Sequence, residues 1–147
     1  MKIIDEWLHK IDVKNLRKII LFLSMLAFVI SLTQNCYCTA EDCMPSIFAL
    51  LFGFFGIFSG VVSWFANPAL LYSWIHIKDN EKSTMLSVLA LFLAGIFLIY
   101  RKVGSNENGG TSEIISYELG YWLWLCSTGI TFFGNLLIGR KLKIDNN

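Results

Sequence analysis

The chain has 147 residues, a single domain's length, of which 55% are apolar and only 16% charged. Twelve Lys and Arg against eleven Asp and Glu leave a net charge of +1, and the mean hydropathy is +0.57. All the charges fall within five islands at 1–18, 41–42, 78–82, 101–118 and 140–145, a pattern that excludes a disordered chain, a coiled coil and a nucleic-acid binder and points to a membrane protein.

At the N-terminus, Ile3, Ile4, Trp7, Leu8 and Ile11 recur at helical spacing, with Asp5, Glu6, Lys10 and Asp12 between them. This predicts a short amphipathic helix within 1–18, lying on the cytoplasmic face of the membrane. The apolar run that follows, about 19–34, is the first expected span. A cleaved signal peptide fits less well, because the segment before the run is long and carries three acids.

The connection at 35–45 holds Cys36, Cys38 and Cys43. Cysteines this dense outside the cytoplasm tend to pair, so a disulfide from Cys43 to Cys36 or Cys38 is expected. Zinc is not, since both histidines, His9 and His76, fall on the other side.

The next apolar stretch, 46–77, would measure about 48 Å as one straight helix, too long for a core of about 30 Å. Asn67 and Pro68 interrupt it, so the reading is a span at about 46–65, a helix break at Asn67 and Pro68, and a broken extension at 69–77 along the inner interface, the alternative being a single kinked, tilted helix. Gly53, Gly56, Gly60 and Ser63 place small residues at spacings of three and four, a helix-packing pattern. Asn67-Pro68-Ala69 resembles the NPA box of aquaporins, which implies a pore in a family built on two such boxes and six spans. This chain has one box and no matching second half.

A third span is expected at about 84–100 and a fourth at about 117–138, with Cys126 packed inside it. The intervening segment, 101–116, is rich in Gly, Ser and Asn and reads as a flexible tether. Ten Lys and Arg then fall on one side and two on the other, which predicts a cell-membrane protein with both termini cytoplasmic.

The expected fold class is therefore an all-α integral membrane protein, a single domain over 1–147 forming a four-transmembrane-helix bundle. No catalytic constellation, cofactor-binding motif or metal cluster is evident in the sequence, and none of the four spans carries an ionisable residue at depth. His76 reads as a solvated interfacial imidazole and Glu118 as a helix-start carboxylate. Ser24, Ser59, Ser63, Asn67, Thr128, Thr131 and Asn135 read as interhelical hydrogen-bonding groups. The functional expectation is a non-catalytic scaffold, accessory subunit or regulator acting by helix association. Its partners would be the lipid bilayer and either a second copy or another membrane protein, with no nucleic acid and no cofactor. The alternative is a small oligomeric channel, permease or membrane-permeabilising effector. The discriminating feature is whether Ser59, Ser63, Thr128 and Asn135 line one water-filled axis.

Overall fold

A computed structural model describes residues 10–104 and 111–146. The amphipathic segment expected from Ile3, Ile4, Trp7 and Leu8, and the Gly- and Asn-rich tip of the tether, lie outside the described residues. The chain runs α1 (Val13–Leu32), β1 (Asn35–Thr39), β2 (Cys43–Pro45), α2 (Ser46–Phe52), a 3-10 stretch Gly53–Ser59, a second at Ser63–Phe65, α3 (Ala66–Ile75), α4 (Asn80–Ile96), β3 (Lys102–Gly104), β4 (Thr111–Tyr117) and α5 (Leu119–Asp145).

Three helical segments, Val13–Leu32, Asn80–Ile99 and Leu119–Asp145, are long and apolar enough to cross a bilayer. In α1 the buried positions Leu16, Ile20, Ser24, Phe28 and Ser31 recur every three or four residues and form one stripe. The opposite face carries Phe22, Leu23, Met25, Leu26, Val29 and Ile30, all exposed. α4 does the same with buried Ser83, Ser87, Ala90 and Ala94. In α4 the buried stripe is small and polar and large apolar residues such as Met85, Leu89 and Phe92 point outward, the reverse of a water-soluble helix, whereas α1 buries Leu16, Ile20 and Phe28 beside its two serines.

α1 and α5 pack along their length, α3 lies on α4, and α4 on α5. Gly134 permits the first contact, because a Cβ there would collide with the Ile20 side chain. Leu16, Ile20, Ile77 and Ile138 fill one end of the bundle, and Phe28, Leu70, Trp74 and Ala90 fill its middle.

The fold is not all-α. Both connections at one end of the bundle are strands, joined in a four-stranded antiparallel sheet of order β2-β1-β4-β3. β1 pairs with β4 with Tyr37 opposite Tyr117 and Cys38 opposite Ser116, so the expected tether is instead half of a sheet. Its flanks explain this: Thr111–Tyr117 is rich in β-branched and aromatic residues, and Val103 is buried.

The second apolar stretch also departs from expectation in where it breaks. Pro68 sits at the third position of α3, within the first turn, where an N–H has no intrahelical acceptor and proline is tolerated. The break is upstream at Gly60, whose φ of +79° needs a glycine. Both ends of 46–60 lie at the sheet end: the Ser46 N–H donates to the Gln34 carbonyl, and the Tyr100 hydroxyl donates to the Gly60 carbonyl at 2.9 Å. This segment is a shelf beside the sheet. The traverse of the bundle is made by 63–75, about 20 Å long at 1.5 Å per residue.

Candidate functional site beneath the sheet

Between the shelf, the sheet-proximal turns of α1 and the start of α5 lies a cavity of about 660 Å³. Its walls are mainly apolar, with Phe28 and Leu32 on one side, Ala49 and Trp64 on another and Trp124 opposite. Side chains hold two backbone carbonyls of the shelf and one of the segment that follows it. Trp64 Nε1 donates to the Leu50 carbonyl at 2.7 Å, Asn67 Nδ2 to the Trp64 carbonyl at 3.1 Å, and Tyr100 to Gly60 as above. A 3-10 backbone in an apolar setting needs such partners for its orphaned carbonyls.

Most of the site residues anticipated in the sequence meet here, in different roles. Gly53, Gly56, Ser63, Asn67 and Cys36 all line the cavity. Gly53 and Gly56 are not an interhelical seam: a Cβ on them would meet Trp64 and Val61, within the same connection. Gly60 faces open space and serves the turn alone. Asn67, buried to 7% exposure, bridges α3 to α5 by accepting the Trp124 Nε1 proton at 2.9 Å.

Ser63 is 2% exposed, and its hydroxyl has no hydrogen-bond partner; the Ser46 hydroxyl is 6% exposed. Beside Ser46 is the Cys36 thiol. Burial pushes that thiol up to about 12, an effect the neighbouring hydroxyl partly offsets. Cys36 is therefore a protonated, unreactive group at neutral pH. The disulfide joins Cys38 to Cys43 across the β1–β2 hairpin. Burial likewise raises Tyr37 to about 12.

Ser46, Trp124 and Gly120 were not anticipated as site residues. Gly120 lets α5 start against Ser46 and the Asn35 carbonyl, where a Cβ would collide. Cys126 is exposed on the outer surface of α5 rather than packed inside. His76 Nδ1 lies 2.9 Å from the Tyr72 carbonyl, and Glu118 opens α5, its carboxylate accepting from Ser116. Neither reaches the cavity. Among the described residues, no three His, Cys, Asp or Glu side chains gather as metal ligands.

Two polar clusters occupy the bundle interior. Trp74 Nε1 donates to Ser24 Oγ and to Thr131 Oγ1, each at 3.1 Å, and those two hydroxyls are 2.7 Å apart. Asn135 Nδ2 donates to Ser83 Oγ at 2.9 Å and to Ser87 Oγ at 3.1 Å, while Ser83 and Ser73 exchange hydroxyl-to-carbonyl bonds. The chain matches no protein-family model, no curated protein and no solved structure.

Proposed function

We propose that this chain is a multi-pass cell-membrane protein that crosses four times, the second crossing being the short 63–75 segment, with both termini cytoplasmic and the sheet outside. It acts without catalysis, as a scaffold, accessory subunit or regulator that associates with a second copy or another membrane protein. The large apolar residues exposed on α1 and α4 and the ten-to-two distribution of Lys and Arg support this placement.

The shelf is the observation that carries the association reading. It is not needed to cross the bilayer, yet two side chains, Trp64 and Tyr100, brace it, and it presents Phe48, Phe52, Phe55 and Phe58 outward, Phe58 at 87% exposure. Clustered exposed aromatic rings offer a large contact area with specific packing geometry to a partner. A conduit is less well supported. Thr128 donates to the carbonyl one turn back, Asn135 bonds Ser83 and Ser87, and Ser63 faces the cavity. Two of these groups are thus engaged within the protomer, which leaves fewer of them to line a conduit.

A photo-crosslinking amino acid at Phe58, compared with one at Phe133 on α5, also exposed, tests the association reading in intact cells. Discrete protein adducts from position 58 and lipid adducts alone from position 133 are expected. Lipid adducts alone from both positions would overturn the reading.

A further inference from the structure

The cavity differs from ordinary packing defects in its size, its chemistry and its mouth. At about 660 Å³ it falls within the usual range of ligand sites, about 300–1,000 Å³. Empty cavities in proteins are apolar throughout. This one has apolar walls but contains the unpartnered Ser63 hydroxyl, 2% exposed, and the Ser46 hydroxyl, 6% exposed. Buried hydroxyls are ordinarily bonded, so the Ser63 hydroxyl marks where an incoming polar group would sit.

The exposed members of the wall mark where the cavity opens, and these include Phe48, Phe52 and Phe55. A ligand from water would have to pass this apolar rim, whereas a hydrocarbon chain would enter along it. The deep wall formed by Phe28, Leu32 and Trp124 offers no charged group to receive a headgroup. The polar element of the ligand must therefore be small and uncharged, or end where Ser46 and Ser63 stand near the sheet.

We infer that this cavity binds a single acyl chain ending in a carbonyl or carboxyl group, drawn sideways from the surrounding bilayer, with Ser63 Oγ donating a hydrogen bond to the carbonyl oxygen. The chain fills the apolar volume and the carbonyl partners the orphaned hydroxyl. A free fatty acid and the ester of a phospholipid share this chemistry. The inference rests on the membrane placement proposed above, though not on the association reading.

The test uses the full chain in nanodiscs and three photoactivatable probes with the same diazirine chain: a free fatty acid, a phosphatidylcholine and a hydrocarbon with no carbonyl. Adducts are mapped by peptide mass spectrometry. Cavity peptides containing Phe28 or Trp124 are compared with the outward residues Phe133 and Leu136, which report ordinary lipid contact. Labelling of the cavity by either carbonyl probe supports the inference, and whichever probe labels identifies the source. Ala49→Phe, which fills the cavity, should cut cavity labelling about tenfold and leave labelling at Phe133 unchanged. Ser63→Ala removes one hydroxyl with little volume, and should lower cavity labelling by the carbonyl probes roughly three- to tenfold while leaving the hydrocarbon probe unaffected. Labelling of Phe133 without cavity labelling would overturn the inference alone and leave water as the occupant. Absence of labelling at both sites would overturn the membrane placement with it. Equal cavity labelling in wild type and both variants would also overturn the inference.

Discussion

The Trp124 indole donates to the Asn67 carboxamide oxygen at 2.9 Å, tying the start of α3 to α5. The same carboxamide donates to the Trp64 carbonyl, so one side chain braces both the segment that follows the shelf and the bundle. Asn67→Ala should destabilise the detergent-solubilised protein by about 1–3 kcal/mol, because it strands a buried carbonyl and an indole N–H. Pro68→Ala, in the first turn of α3, should cost no more than about 1 kcal/mol. Thermal unfolding of the two variants side by side checks both. A Pro68→Ala effect larger than that of Asn67→Ala would restore the break to the position the sequence suggested.

Trp74 offers a second measurement. Its ring packs edge-on against Phe28 while its N–H joins the Ser24 and Thr131 hydroxyls. Trp74→Phe keeps most of the packing and removes the donor. Interhelical hydrogen bonds in membranes contribute about 0.6–2 kcal/mol, and the loss should fall in that range by unfolding in mixed micelles. A double-mutant cycle with Thr131→Val should show coupling between the two sites.

Gly134 and Ile20 set the distance between α5 and α1. Gly134→Val should destabilise by about 1–3 kcal/mol through overpacking, and Ile20→Ala in the same chain should recover part of the loss. Additive losses in the double variant would show that the two residues do not meet.

The apolar character of the spans was legible from sequence because it is a matter of composition and length. The sheet was not. Six Gly-, Asn- and Ser-rich positions at 105–110 dominated the reading of the second connection, and the alternation in 111–117 gains its meaning only when Tyr117 and Ser116 find Tyr37 and Cys38, distant in sequence. The break in the second apolar stretch was misplaced for a local reason. Proline is the strongest breaker by type, but its effect depends on position in the helix, and Gly60 with its positive φ was the actual turn. Ser63 could not be recognised as a cavity group, since lacking a partner is a property of the fold and not of a residue.

The Cys36 thiol predicts an alkaline limit. Its folded pKa stands at about 12 against an ordinary 9.0, so the folded state holds the proton more tightly. Its contribution is complete below pH 9 and declines as the pH rises toward 12, by up to about 1.4 kcal/mol per pH unit. Tyr37, also raised to about 12 from 10.0, acts in the same direction at the upper end. The melting temperature should therefore fall above pH 9, and less steeply in Cys36→Ala. Alkylation of unreduced native protein at pH 7.5, a chosen condition below that window, should modify Cys126 and leave Cys36 largely intact, with Cys38 and Cys43 linked.

The most direct test of the architecture concerns sidedness at the shelf's far end. Single cysteines at Glu41, Val62 and Asp79, in a Cys36→Ala, Cys126→Ala background, are exposed to a membrane-impermeant maleimide in intact cells and again after permeabilisation. Val62, whose N–H lies 3.5 Å from the Tyr100 hydroxyl at the sheet end, should label in intact cells as Glu41 does, and Asp79 only after permeabilisation. Val62 behaving as Asp79 does would mean that 46–62 crosses the membrane, and would contradict the shelf.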